Sequence, residues 1–198
     1  MAKKKIKKFT IINFKGGTGK TSLACAFAQS LNYGVVTNDS YSPLERVLEE
    51  KNLIKLDPED EMPVFPPDLP IIFDLGGHID SKTISAIKQS DCLIVSVFND
   101  FLNLKVTMEC LNEITQLHKN IVVVANKTTG KDFEEIKAVV GEFFPEIPVF
   151  NLKQSKAFVN IFKNQMSLEG MMEAGGLQKH AYKAVFAQYK TILKHITN

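Results

Sequence analysis

The sequence predicts an α/β protein with a mostly parallel central sheet and helices on both faces. Short apolar, β-favouring runs alternate with longer segments of helical periodicity along the chain. The short runs are apolar at successive positions, which is typical of parallel strands buried on both faces. Strands that alternate with helices favour a parallel sheet covered by helices. From its 198 residues we expect a single domain that spans residues 1–198.

The predicted strands lie, in chain order, at residues 9–14, 34–37, 71–73, 93–97 and 121–125. The predicted helices lie at residues 20–31, 43–52, 81–89, 102–118, 131–144 and 177–196. The segment 53–70 contains five prolines and is predicted to be a surface loop, because proline continues neither regular structure. In the last helix an apolar stripe is expected at Ala181, Val185, Tyr189, Ile192 and Ile196.

Composition excludes several classes of protein. Hydrophobic residues make up 44% of the chain and charged residues only 23%, which excludes general disorder. No apolar run approaches the roughly 18 residues of a membrane span, and the basic start of the chain lacks the apolar region of a secretory signal. The three cysteines are scattered, which favours a reduced, cytoplasmic protein over a disulfide scaffold or a zinc site.

The strongest motif follows the first predicted strand and opens the first predicted helix. It consists of Lys15, Gly16, Gly17, Thr18, Gly19, Lys20, Thr21 and Ser22. Glycines allow the backbone to approach phosphates, and the amides at the start of a helix attract anions. In such a P-loop Lys20 neutralises the β- and γ-phosphates and the Thr21 hydroxyl ligates Mg²⁺. The motif predicts a site for ATP or ADP with Mg²⁺; the alternative is a glycine-rich turn without a ligand.

The residues before the invariant part of the motif refine this prediction. The standard pattern has glycine where this chain has Phe14, and a lysine and a glycine pair follow. The motif therefore resembles the deviant Walker A sequence K-G-G-x-G-K-[ST] of the ParA/MinD family of P-loop ATPases. The resemblance implies an ATP-bound sandwich homodimer in which Lys15 reaches the phosphates of the partner. A second cation there would stabilise the charge of the transition state; the alternative is a surface lysine.

Asp74 directly follows the predicted strand 71–73 and precedes Leu75, Gly76 and Gly77. These residues resemble the Walker B strand and the switch II loop, which implies that Asp74 holds Mg²⁺ through water and that the Gly77 amide binds the γ-phosphate. A carboxylate at the carboxyl end of a central strand faces the ligand crevice of an open α/β sheet. Relatives often have D-T-P-P here, so the two glycines predict a more flexible loop. The alternative role for Asp74 is a turn cap.

Asp39 follows the second predicted strand, in the sequence Thr37-Asn38-Asp39-Ser40. This segment resembles the switch I pattern D-x-D-P of the family, with Thr37 and Ser40 as departures from it. The resemblance implies that Asp39 orients the attacking water, so Lys15, Lys20 and Asp39 are the predicted catalytic residues. The alternative is an ordinary Asn-Asp-Ser turn.

Asn126 directly follows the predicted strand 121–125. The resemblance implies that its amide, which both donates and accepts hydrogen bonds, reads the adenine edge. Asn126 and Lys127 also open the guanine motif N-K-x-D, but Thr129 stands where the aspartate is needed, so ATP is favoured over GTP. Residues 148–151 are predicted to form a loop on the other side of the base.

Lysines are concentrated near the two ends of the chain. They are Lys3, Lys4, Lys5, Lys7 and Lys8, and then Lys153, Lys156, Lys163, Lys179, Lys183, Lys190 and Lys194. Together they suit contacts with DNA phosphates, so binding would be sequence-independent and sensitive to salt. The alternative is that they only solvate helix faces.

The family resemblance implies a cytoplasmic, nucleoid-associated ATPase for DNA partition, of the kind that plasmids carry. Its ATP-bound homodimer would bind nonspecific DNA, and a ParB-like or small centromere-binding adaptor protein would stimulate hydrolysis. Membrane binding is not expected, because the C-terminal tail has only a short apolar set. The alternatives are a MinD-like or other cargo-positioning ATPase, a metabolic P-loop phosphotransferase, and a fold that binds nucleotide only as a structural switch.

Overall fold

The structure, a computed structural model, describes residues 8–198 and contains one seven-stranded sheet. The strands are β1 (Lys8–Ile12), β2 (Gly34–Thr37), β3 (Leu53–Lys55), β4 (Ile71–Asp74), β5 (Cys92–Val97), β6 (Ile121–Thr128) and β7 (Val149–Lys153). The helices are α1 (Lys20–Leu31), α2 (Ser81–Gln89), α3 (Phe101–Leu117), α4 (Asp132–Phe143), α5 (Ala157–Asn164), α6 (Leu168–Glu173) and α7 (Gly176–Thr197).

All neighbouring strands in the sheet are parallel, in the order β3-β2-β4-β1-β5-β6-β7. Strand β1 is therefore central, and its carboxyl end opens into the phosphate loop. The predicted α/β class with a parallel sheet is confirmed.

Two apolar layers pack against the two faces of the sheet. Alternate strand residues, such as Ile94 and Val95 in β5, belong to opposite layers because successive side chains point to opposite faces. Helices α1, α5, α6 and α7 cover one face, and α2, α3 and α4 cover the other. The three cysteines are buried within these layers and are free thiols. The prediction of helices on both faces is confirmed.

Three predicted elements differ in the structure. The predicted helix 43–52 is wrong: it is replaced by two short 3₁₀ turns, Pro43–Arg46 and Glu50–Asn52, because only Leu44 among their residues is buried and no apolar stripe holds a longer helix. The predicted loop 53–70 begins with the edge strand β3, which pairs with β2. Residues 149–151, predicted as a loop, lie in β7, which pairs with β6.

Helix α7 buries a slightly different stripe from the predicted one. Tyr182 is buried and Ala181 is exposed, whereas Val185, Tyr189, Ile192 and Ile196 are buried as predicted. Within residues 8–198, no helix combines the length and the apolar composition that crossing a lipid bilayer requires.

The proline-rich segment is fixed by side chains from the sheet and from α2. The buried Lys8 donates from Nζ to the carbonyl oxygens of Phe65 at 3.0 Å and Pro66 at 2.6 Å. The Lys82 ammonium binds the carbonyl oxygens of Asp57 and Pro58. Lys8 is therefore not part of the predicted DNA-facing surface, and Lys3, Lys4, Lys5 and Lys7 lie outside the described residues.

Candidate functional site

A polar cavity of about 590 Å³ lies at the carboxyl ends of the strands. Four loops line it: the loop after β1 with Gly16, Gly17, Gly19, Lys20, Thr21 and Ser22, the loop after β2 with Asn38 and Asp39, the end of β4 with Asp74, Gly76 and Gly77, and Lys127 near the end of β6. This is the edge at which open α/β sheets bind ligands. The structure therefore brings most of the predicted site residues together.

The loop between β1 and α1 has the backbone that its glycines permit. Gly17 and Gly19 have φ angles of 79° and 89°, in the left-handed region that disfavours other residues. A Cβ atom at Gly19 would also collide with the Asn126 side-chain amide. Residues 20–22 begin α1, so their backbone amides and the positive end of the helix dipole face the cavity. The loop is a ready anion site.

Lys20 is buried at the base of this cavity. Its Nζ donates a hydrogen bond of 3.1 Å to the carbonyl oxygen of Lys15. Burial lowers the pKa of Lys20 below its ordinary value, although the nearby Asp74 carboxylate acts in the opposite direction. The ammonium thus lies in the cavity lining, within electrostatic reach of the Asp74 carboxylate.

Asp74 is almost completely buried beside Thr21 and Lys20. Burial raises the pKa of Asp74 to about 6, against the lowering effects of the Thr21 hydroxyl and the Lys20 ammonium. Its Oδ2 atom is buried and has no hydrogen-bond partner among the described residues. A carboxylate and a hydroxyl side by side are the hard oxygen donors that Mg²⁺ prefers, so Asp74 and Thr21 fit this ion. Within residues 8–198 no cluster of three or more His, Cys, Asp or Glu side chains forms another metal site.

The loops after β2 and β4 are joined by one side chain. The amide of Asn38 donates from Nδ2 to the Gly76 carbonyl oxygen at 3.2 Å and accepts from the Gly76 backbone N–H at 3.1 Å through Oδ1. The adjacent Asp39 is exposed, and its Oδ1 accepts the backbone N–H of Tyr41 at 3.0 Å. Gly77 has a φ angle of 96° and lines the cavity. The Asn38 contact was not predictable from sequence, because a short polar side chain in a turn has many possible partners.

Lys15 lies beside the cavity rather than in its lining. Its backbone N–H donates to Asn13 Oδ1 at 2.9 Å. Hydrogen bonds from Asn103 lower the pKa of the Asp100 carboxyl, and the Lys15 ammonium adds a weaker effect in the same direction. Asp100 caps α3, and the next two residues, Phe101 and Leu102, are 79% and 59% exposed. Lys15 itself is half-buried.

The strand end at β6 contributes two residues in different ways. Asn126 is buried, and its Nδ2 donates to the Thr18 carbonyl oxygen at 2.9 Å. Lys127 has a left-handed φ angle of 53° and places Nζ 4.4 Å from the ring centroid of Phe98. Lys127 was not among the predicted site residues. The signal that points to it is the same one that identified Asp74, a polar residue at the end of an apolar strand.

A smaller cavity of about 70 Å³ adjoins the first. The two cavities share Gly19, Ser22 and Lys127 in their linings. The rest of the smaller lining consists of Leu23, Asn126, Lys153, Ser155, Phe158 and Val159. Its apolar walls and its position next to the phosphate loop suit a planar ring attached to a phosphate chain.

Exposed lysines form a row on α7. Lys179, Lys183, Lys190 and Lys194 are exposed, and their spacing places them within about 60° of the helix circumference. Lys190 also lies 3.5 Å from Glu169 Oε1. Lys153, Lys156 and Lys163, from β7 and α5, are exposed as well.

The glycine-rich loop, the buried lysine and the strand-end aspartate define a P-loop site on a parallel α/β sheet. Apo McdA from Cyanothece has a similar structure, with a TM-score of 0.69 at 14% identity, covering 97% of this chain and 99% of that protein. MinD from Pyrococcus horikoshii, in complex with Mg-ADP, has a TM-score of 0.65 at 15% identity, with 93% of each chain covered. A ParA family ATPase from Chlorobium tepidum has a TM-score of 0.61 at 16% identity, covering 91% of this chain and 98% of that one.

No protein-family model and no curated protein sequence matches this chain. At these identities the structural likeness shows the fold, which is that of the ParA/MinD ATPases over nearly the whole chain. The fold that the motif predicts, a P-loop NTPase fold of the deviant Walker A type, is confirmed.

Proposed function

We propose that this chain is a single-domain, ParA-like ATPase that partitions DNA, with plasmids as its cargo. The observation that carries the proposal is the arrangement of the two lysines of the phosphate loop. Lys20 lines the cavity, whereas the half-buried Lys15 lies outside its lining. A lysine in that position is available to a second nucleotide site across a dimer interface.

ATP and ADP are the proposed ligands of the two joined cavities. The amides of residues 16–22 and the Lys20 ammonium would hold the phosphates, and the Gly77 amide would meet the γ-phosphate. The smaller cavity would take the base, with Asn126 as the predicted contact to adenine. Thr21 and Asp74 would hold Mg²⁺, which supplies charge neutralisation between the β- and γ-phosphates when it is bound.

Hydrolysis in this proposal needs groups from two protomers. Asp39, exposed at the mouth of the cavity, would orient the attacking water toward the γ-phosphate. Lys20 in the same chain and Lys15 from the partner would stabilise the charge that spreads over the γ-phosphoryl oxygens. Turnover by the isolated monomer should therefore be slow.

The ATP-bound homodimer is the proposed DNA-binding state. Phe101 and Leu102, which follow the Asp100 carboxylate that the Lys15 charge reaches, offer exposed apolar surface for protein contact. The lysine row of α7 would meet DNA phosphates without reading sequence. A ParB-like or small centromere-binding adaptor would stimulate hydrolysis and release the dimer, which would place the protein on the nucleoid in the cytoplasm. DNA must bind the dimer more tightly than the monomer for this cycle to work.

The alternative is a MinD-like or other positioning ATPase with a different cargo. MinD and McdA have the same fold as the ParA family ATPase, so the fold does not distinguish between these functions. The exposed lysine row favours DNA as the surface on which the protein acts.

The two loop lysines provide the test of this proposal. We expect Lys20→Ala to abolish nucleotide binding, because the loop loses its phosphate-neutralising cation. We expect Lys15→Ala to bind ATP as a monomer but to lose hydrolysis and the dimer. Nucleotide titration calorimetry, light scattering with a slowly hydrolysed ATP analogue and phosphate release measure these effects. Unchanged ATP affinity in Lys20→Ala would refute the site, and full turnover in Lys15→Ala would refute the sandwich.

A further inference from the structure

We infer that Asn126 and Ser96 are positioning residues that hold the phosphate loop in its anion-binding shape through the carbonyl oxygen of Thr18. The inference rests on the proposed nucleotide site and assigns these two side chains a role toward the phosphates. It gives Asn126 a role toward the loop in addition to its proposed contact with the base.

Two buried donors converge on one carbonyl oxygen of the loop. Asn126 donates from Nδ2 to Thr18 O at 2.9 Å, and Ser96 donates from Oγ to the same oxygen at 2.6 Å. Thr18 and Ser96 are 0% exposed, and Asn126 is 6% exposed. A carbonyl oxygen has two lone pairs, so these two donors satisfy it completely. The loop is thereby tied to the ends of β5 and β6.

The geometry of the peptide unit connects these two hydrogen bonds to the Thr18 carbonyl oxygen with ligand binding. In a planar trans peptide the C=O and the following N–H point in opposite directions. The Thr18 carbonyl is drawn into the protein, so the Gly19 N–H of the same peptide is turned the other way. Gly19 lines both cavities. The two buried donors therefore aim a loop amide outward, toward an anion.

The start of the phosphate loop is held by Ser96 at the end of β5, through Asn13. Asn13 donates from Nδ2 to the Ser96 carbonyl oxygen at 2.8 Å and to Thr107 Oγ1 at 2.8 Å. The Oδ1 of Asn13 accepts the backbone N–H of Lys15 at 2.9 Å. Ser96 thus fixes the loop at Thr18 through its hydroxyl and near Lys15 through its carbonyl.

Both ends of the Asn126 amide are already engaged within the protein. Its Oδ1 accepts the backbone N–H of Lys127 at 2.9 Å, and its Nδ2 also lies 3.4 Å from Ser96 Oγ. The amide has two N–H donors and two lone pairs on its oxygen, so Asn126 can keep its hydrogen bond to the Thr18 carbonyl oxygen while a ligand is bound. Breaking buried hydrogen bonds is costly, so the arrangement favours support of the loop.

Three ligands separate the two roles of Asn126: ADP, GDP and inorganic pyrophosphate, which has no base. We expect Asn126→Ala and Ser96→Ala each to weaken pyrophosphate binding about tenfold, for the loss of a buried hydrogen bond, and to weaken ADP and GDP binding by at least this factor. Titration calorimetry measures the affinities. Ser96→Ala removes only a hydroxyl group, so it tests the inference even where Asn126→Ala unfolds.

Thr128→Val is the matched control. It removes a partly buried hydrogen bond of the same strand, from Thr128 Oγ1 to Asn151 Oδ1, without touching the loop. We expect it to lower the unfolding temperature and to leave all three affinities unchanged, which separates positioning from general destabilisation. A loss in Asn126→Ala confined to ADP would overturn the inference in favour of base reading, and wild-type affinities in Ser96→Ala would also overturn it. If the wild-type protein binds none of the three ligands, the proposed function fails first.

Discussion

Among single residues, Asp74 is one that the fold buries although its burial lowers the stability of the folded protein. Its carboxyl group is buried, and Oδ2 has no hydrogen-bond partner among the described residues. Burial of such a group disfavours its charged form, and accordingly the pKa is raised from 3.8 to about 6. A carboxylate kept in this position is explained by the cation that it would hold.

Because burial of the charged Asp74 carboxylate destabilises the fold, its substitution should increase stability in a pH-dependent way. Between pH 4 and 6 the folded protein holds a proton on Asp74 that the unfolded chain has lost, so this group lowers stability as pH rises through that window. Without nucleotide and Mg²⁺, Asp74→Asn should be more stable than the wild type at pH 8 by up to about 3 kcal/mol, since each pKa unit corresponds to about 1.4 kcal/mol. The difference should vanish near pH 4.

Urea unfolding at several pH values measures this effect, and the same variant should lose ATP hydrolysis. Asp57→Asn, at an exposed carboxylate outside the cavity, is the control and should behave as the wild type. A destabilised Asp74→Asn at pH 8 would show instead that the carboxylate serves the fold.

At the scale of elements, the Asn38 amide makes the loops after β2 and β4 a single unit. It bonds both the N–H and the carbonyl of Gly76. The flexibility predicted from Gly76 and Gly77 is thus limited at one end by Asn38. The two loops carry Asp39 and Gly77, which have proposed roles at the attacking water and at the γ-phosphate.

The two hydrogen bonds between Asn38 and Gly76 predict that substitution of Asn38 affects turnover more than nucleotide binding. Asn38→Ala should reduce kcat at least tenfold, because Asp39 and Gly77 lose their mutual alignment. ADP affinity should change less than twofold, because Lys20 and the start of α1 hold the diphosphate. Steady-state kinetics and calorimetry measure the two quantities, with the exposed Ser40→Ala as control. Loss of ADP affinity with unchanged kcat would contradict this role.

The elements also show why part of the structure was predictable. The strands with apolar residues at successive positions and the loop at Lys20 follow from local patterns, since burial on both faces and phosphate binding need particular residues at fixed spacing. Strands β3 and β7 were missed because they are edge strands that are only partly buried. The contact of Asn126 with Thr18 joins residues 108 positions apart, and no local pattern encodes it.

At the scale of the whole molecule, charge is unevenly distributed around the sheet. The lysine row lies on α7, on the face covered by α1, α5 and α6. The chain carries a formal net charge of only +2, so attraction to DNA would depend on this local row. Most of the binding free energy would come from release of counterions, which salt opposes.

The lysine row predicts how substitution changes the salt dependence. Lys179→Ala combined with Lys183→Ala should weaken DNA binding for every sequence and reduce the salt slope by about 2, one for each lost phosphate contact. Lys88→Ala, on the opposite face of the sheet in α2, should change neither quantity. An unchanged slope in the double variant would exclude this row as the DNA surface.

The proposed function requires that ATP converts this protein into a DNA-binding dimer. It is tested most directly by measuring binding of the wild-type protein to unrelated duplexes without nucleotide, with ADP and with a slowly hydrolysed ATP analogue, at two salt concentrations. We expect binding only with the ATP analogue, and a steep loss of affinity at the higher salt concentration. Absence of binding in every state would contradict the partition function and would favour a positioning ATPase with another surface or a metabolic enzyme of the same fold.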